Sequence, residues 1–204
     1  MELSPKISNH NFCSFLWHAA FLAFAKNFMD TDTVMPAMLI EAGGGPVHIG
    51  IMSAIMIGGA RFAQLFFAPF ISNQAFKKKY LLLGINVRIF SLAGLGLLLF
   101  LLQGEHTGYV LYLVFLFLTI FSVAGAFANI GYTDILGKAV NPEKRKTFFS
   151  SNQIISGILI FASAFLVREL LIRKTFPINY SYMFFIGATL LLIASGGFWN
   201  IKEV

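Results

Sequence analysis

Five charged side chains interrupt otherwise apolar stretches of this chain: Lys26, Asp30, Asp32, Arg61 and Arg88. In hydrocarbon an ionised group costs about 2.5 kcal/mol or more, so each requires a partner or a task. Lys26 and Asp30 are four residues apart and share a face on a helix, which predicts an ion pair. Asp32 points roughly 200° away from Asp30 and has no opposite charge three or four residues to either side. A desolvated carboxylate of that kind can load and release a proton, so Asp32 is a candidate coupling group. The competing reading is a structural bridge to Arg61 or Arg88.

Arg61 has Gln64 one turn on along the same face. A guanidinium stays charged and grips planar anions with two N–H groups, so this pair suits an anionic or polyhydroxyl solute. A bridge from Arg61 to Asp30 or Asp32 is the alternative. Asn129 and Tyr132, one turn apart, can contact solute or join helices by hydrogen bonds. The substrate or coupling candidates are therefore Asp30, Asp32, Arg61, Gln64, Asn129 and Tyr132. Lys26, Arg88, Asp134, Lys77 and Lys78 are assigned to a structural charge network, with Asp134 capping or pairing with the basic loops.

Other chemistries find no residues to carry them. The histidines at 10, 18, 48 and 106 are scattered without ligand spacing, and Cys13 is the lone cysteine. No metal site and no cofactor are expected. No His follows His106, and no nucleophile motif, metal-diphosphate motif or phosphate-cradling glycine loop is present. The chain does not read as an enzyme, and ATP is not its expected energy source.

The elements that position these residues are membrane spans. Hydrophobic residues make up 57% of the 204 and charged ones 12%, and the mean hydropathy is +0.77. Soluble domains carry about twice that charge. Apolar runs of about 20 residues, enough to cross a bilayer, predict spans at about 12–39, 48–71, 81–102, 108–131, 148–168 and 180–201. The first runs too long for a cleavable signal peptide. The formal charge of +6 falls at span ends, where lipid headgroups rather than nucleic acid are the natural neighbours. Nine of the fifteen Lys and Arg lie on the side of the N-terminus, three on the other side and three within spans. Basic loops stay cytoplasmic, so both termini are expected there.

The loops are short. Gly43-Gly44-Gly45-Pro46 is a strong helix stop. The connection 133–147 is the longest, and Asn141-Pro142-Glu143 within it predicts a short surface helix with Pro at its first position. Arg168 and Glu169 are expected to pair locally. Gly58-Gly59-Ala60, Gly94-x-Gly96 and Gly125-Ala126 predict close helix packing. Lys77–Lys79 after span two and Arg173-Lys174 after span five suggest two three-helix repeats.

Six spans with a short Gly-rich first outer loop and basic second and fourth loops resemble the N-terminal half of a major facilitator superfamily transporter. Thr33-Val34-Met35-Pro36 followed by Ile49-Gly50 looks like the first hairpin of that superfamily. Its Gly-x-x-x-Asp-Arg-x-Gly-Arg-Lys signature falls after span two. Here Asn73 and Gln74 take the Asp and Arg positions, Pro69 and Phe76 those of the glycines, and Lys77-Lys78 keep the basic end. Asp134 through Pro142-Glu143-Lys144-Arg145 resembles the family's Asp…Pro-Glu-x-Arg connection. The Gly-x-x-x-Gly-Pro signature of proton-coupled drug exporters is absent at Ser156–Phe161.

The resemblance implies a fold of twelve spans in two halves, with the substrate between them, span three at the periphery and span four lining the cavity. The expected function is secondary active transport of a small solute by alternating access, ion- or proton-coupled, in a bacterial inner membrane or plasma membrane. The expected partners are the lipid bilayer, the solute and a second six-span half, on this polypeptide beyond residue 204 or on another subunit. The alternative is a non-transporting six-span assembly or sensory subunit whose buried charges only hold helices together.

Overall fold

A computed structural model describes residues 4–102 and 108–203, and every regular element among them is helical. Five helical stretches are long and apolar enough to cross a bilayer: Pro46–Ser72, Lys78–Leu102, Tyr109–Ala139, Pro142–Arg173 and Ile178–Asn200. The protein is an all-α integral membrane protein.

The expected first span, 12–39, is broken. Helix α1 runs Pro5–Lys26 and a 3-10 turn follows at Asn27–Met29. Asp30 then leaves the helix with extended backbone, at φ −67° and ψ 129°. Helix α2 resumes at Val34–Glu41. The reason lies in Asp30-Thr31-Asp32-Thr33, whose short polar side chains compete with the helix for backbone hydrogens. The Asp30 Oδ1 accepts from the Asp32 N–H at 3.0 Å, the Thr33 N–H at 2.9 Å and the Thr33 hydroxyl at 2.8 Å. α1 also carries Asn, Ser and His along its length and is not among the five apolar crossings.

α2 stops at the glycines as expected. Gly43 adopts φ +89°, where a side chain would be strained, and the Gly44 N–H closes back on the Leu39 carbonyl at 2.8 Å. Pro46 opens α3 (Pro46–Ser53), which passes through a π turn at Ala54–Gly59 into α4 (Ala60–Ser72). The π turn frees carbonyls from the regular ladder. The Ser122 hydroxyl donates to two of them, those of Ile55 at 2.9 Å and Met56 at 3.3 Å.

α5 is Lys78–Leu102, α6 Gly108–Ala139, α7 Pro142–Arg173 and α8 Ile178–Asn200. The long loop expected at 133–147 is therefore mostly helix. Asn141-Pro142 starts α7 itself and not a separate short helix. Pro at the first position lacks only an N–H that would be unpaired anyway. Glu169 pairs with Arg173, at 2.6 Å, rather than with Arg168, because adjacent helical residues diverge while fourth neighbours meet.

α5 packs on α6 and α8, α1 on α8 and α7, and α4 with its π turn on α6. The core lies where α1, α5, α6 and α8 meet, around Phe15, Leu92, Leu118, Phe184, Leu191 and Phe198. The most apolar windows of Pro46–Ser72 and Pro142–Arg173 are each only 11% buried, against 39–61% for the other three crossings.

One end of the bundle is tied by polar bonds that join distant parts of the chain. Asn11 donates to the Ala139 and Lys202 carbonyls and accepts the Lys202 N–H at 2.9 Å. The Glu203 carboxylate accepts the backbone N–H groups of Lys77 and Lys78. Asp134 bridges Lys77 at 2.8 Å and Lys138 at 2.9 Å.

Candidate functional site

A half-open cavity of about 510 Å³ lies among α1, α5, α6, α7 and α8, with Lys26 and Asn129 exposed at its rim. Each helix offers one face to it, at the three- and four-residue spacing of a helical stripe. α1 contributes His18, Leu22 and Lys26; α5 contributes Leu81, Ile85 and Arg88; α6 contributes Gly125, Asn129 and Tyr132; α7 contributes Asn152, Ser156 and Ile160. Gly125 on α6 leaves room for the Arg88 side chain, which lies 3.6 Å from where a Cβ would stand. A smaller cavity of about 280 Å³ adjoins it between α4 and α6, and Gln64, Arg88 and Asn129 line that one.

The floor of the larger cavity is aromatic. Tyr132 meets Phe15 edge-on at 5.5 Å and Phe198 at 5.9 Å. His18 stacks on Phe198 at 3.7 Å, and its Nδ1 lies 3.2 Å from the Ala194 carbonyl. A carbonyl only accepts, so Nδ1 carries the proton and Nε2 is left as an acceptor. On α7 the Ser156 hydroxyl donates to the Asn152 Oδ1 at 2.9 Å, so the Asn152 amide N–H groups remain available.

The two cations are unmatched. Arg88 lays its guanidinium over the Phe121 ring at 4.3 Å, which uses the plane of the group and leaves its N–H donors unused. Its Nε is buried and has no hydrogen-bond partner. No ion pair involves Arg88 or Lys26 among the described residues, and neither cavity has an Asp or Glu in its wall.

This arrangement divides the residues singled out from sequence. Asn129 and Tyr132 line the main cavity, and Gln64 the smaller one. Asp30 and Asp32 line neither. The expected Lys26–Asp30 pair does not form, because the four-residue relation holds only on a helix and the helix ends between them. Asp32 is exposed on the turn, and its own backbone N–H closes that turn. Arg61 is exposed on α4, away from both cavities. Lys26 and Arg88, assigned to a structural network, instead face the cavity, whereas Lys77 and Asp134 do bridge each other. The Lys78 Nζ donates to the Trp199 and Ile201 carbonyls at 2.7 and 2.8 Å.

Sequence reasoning passed over His18, Asn152 and Ser156. The signal available was spacing: Asn152 and Ser156 sit four apart where the apolar run of α7 begins, and His18, Leu22 and Lys26 follow at steps of four on α1. Comparison with known proteins gives no match: no family model fits the chain, and no curated protein and no solved structure aligns with it.

Proposed function

We propose that this chain is a six-span half of a secondary active transporter, related in plan to the major facilitator superfamily, with both termini in the cytoplasm. α1 and α2 together form the first crossing, broken at residues 30–33. The observation that carries the reading is a largely apolar cavity among membrane-crossing helices into which Lys26, Arg88 and His18 project, since ionisable groups there mark a solute path by default. Two further features support it. Exchanging the first three crossings for the last three maps the most extensive helix contacts onto one another. The pair α5–α6 becomes α8–α1, α1–α7 becomes α6–α4, and α5–α8 is unchanged. Inverted three-helix repeats pack in this way. The two thinly buried crossings, Pro46–Ser72 and Pro142–Arg173, are exchanged by the same operation, and both are free to meet a second six-span half.

Mechanically, the cavity binds solute while open to one side, and rocking against the second half opens it to the other. Side-specific thiol labelling tests this without a known substrate. On a Cys13→Ser background, Gly45→Cys is expected to react with an impermeant reagent only from outside and Asn73→Cys only from inside. Ser156→Cys, in the cavity wall, is expected to react from both sides in separate vesicle preparations. Reaction of Ser156→Cys from one side alone, or from neither, overturns alternating access and favours a non-transporting subunit. Exchanged patterns at 45 and 73 overturn the orientation.

A further inference from the structure

We propose that the central cavity binds a small organic anion, a carboxylate or a phosphate ester, held between Lys26 and Arg88. The inference rests on reading the cavity as a solute site and adds the class of solute.

The argument is one of unmatched charge. Lys26 and Arg88 both reach the cavity and neither meets a carboxylate. Asp30, the nearest acid in sequence to Lys26, is held in its own turn by three hydrogen bonds to Oδ1 and does not line the cavity. The Arg88 Nε is buried with no acceptor. A desolvated guanidinium with unused donors is a poor structural device, since its cost is offset only when an anion or carbonyl arrives. A carboxylate or phosphate supplies two parallel acceptors, which match the guanidinium fork.

The rest of the wall describes the remainder of the solute. Leu22, Ile85 and Ile160 offer apolar contact, while the Asn152 amide and the Asn129 side chain offer hydrogen bonds. A volume of about 510 Å³ is that of a small-molecule site rather than of a single inorganic ion. Anionic lipid headgroups share the same chemistry, and the test separates them from free solute.

The test is ligand-dependent thermal stability of the purified full chain in neutral detergent. The probes are succinate, lactate, glycerol 3-phosphate and inorganic phosphate at millimolar concentration, with choline and glycerol as cationic and neutral counterparts. At least one organic anion is expected to raise the Tm, more than phosphate does, and choline and glycerol are not. Arg88→Gln and Lys26→Gln are each expected to weaken the apparent affinity about tenfold, the effect of losing one charged hydrogen bond. Lys174→Gln, exposed near the end of α7, is expected to leave it unchanged. Lys26 is exposed and unpaired, so its variant remains informative if Arg88→Gln does not fold. Repeating the titration in nanodiscs of neutral lipid, with and without phosphatidylglycerol, distinguishes the sources. Stabilisation by phosphatidylglycerol but by no free anion overturns the proposal in favour of a lipid site. So does a response to choline or glycerol alone, the absence of any response, or an anion response untouched by Lys26→Gln. None of these outcomes alters the labelling pattern expected of a transporter, so the solute class and the transport reading fail separately.

Discussion

Asp30 shows how much depends on whether one residue is helical. Counted along an unbroken helix, it lies 11 residues below Glu41, about 16 Å at 1.5 Å per residue, and one turn from Lys26. In the folded chain its carboxylate instead organises a turn of four polar residues. Charge is secondary to this work, because an acceptor oxygen suffices. Asp30→Asn is therefore expected to shift stability by less than about 0.5 kcal/mol. Asp30→Ala, which removes three hydrogen bonds, is expected to cost about 1–2 kcal/mol. Thermal unfolding in detergent checks both, and equal damage from the two variants would refute the turn account. The candidate site was partly legible at this scale. Asn129, Tyr132 and Gln64 were identifiable because polar groups in an apolar run are few. The charge network expected of Arg88 does not form among the described residues, because a sequence does not say whether a counter-charge comes within reach. The acids nearest to Lys26 in sequence, Asp30 and Asp32, lie on the turn after α1 and line neither cavity.

At the scale of the element, the long helices α5 to α8 were legible because apolar runs of this length have one stable form in a bilayer, with all backbone groups paired internally. Their ends were less so. The apolar run stops at the edge of the hydrocarbon, but α6 and α7 continue to Ala139 and from Pro142, carrying Lys138, Lys144 and Arg145 on helical turns. Close packing was expected at three glycine-rich stretches, yet one of the tightest approaches is at a glycine outside them. A Cβ on Gly84 would stand 2.8 Å from the Ala124 carbonyl oxygen and 2.9 Å from the Ala128 backbone nitrogen, both on α6. On Gly58 and on Gly157 it would meet nothing within 4 Å. Gly84→Ala is expected to push α5 off α6 and lower stability by about 1–3 kcal/mol. Gly157→Ala, in the interior of α7, is expected to raise it by about 0.5–1 kcal/mol. Melting temperatures of the two variants moving in the same direction would contradict the packing described.

Among the described residues, the molecule is held unequally at its two ends. Near the termini, Asn11, Asp134, Lys77, Lys78 and Glu203 join α1, α5, α6 and the segment after α8. At the other end, among the described residues, the Tyr180 hydroxyl donates to Glu41 and the Ser181 hydroxyl to the Gly96 carbonyl, each at 2.7 Å. Within the plate at the termini, Asp134 is central because the Lys77 side chain is only 5% exposed. Asp134→Ala leaves that ammonium buried without a counter-charge and is expected to cost about 2–4 kcal/mol. Lys138→Ala removes the exposed arm of the same bridge and is expected to cost less than about 1 kcal/mol. Chemical denaturation of the two variants measures the difference, and a Lys138→Ala effect as large as that of Asp134→Ala would remove Lys77 from its proposed dependence. The ties to Asn11 and Glu203 were hidden from sequence because their partners lie more than a hundred residues away.

The Glu203 cap also sets a schedule for biosynthesis. It accepts amides that precede it by 126 and 125 residues. At roughly 5–20 residues per second, α5 enters the membrane and waits roughly 6–25 s for the carboxylate that satisfies its first amides. Until then those N–H groups depend on water at the membrane surface. The nascent bundle therefore keeps one wet, unlocked end while α6, α7 and α8 insert, and it locks only once residue 203 has cleared the ribosome.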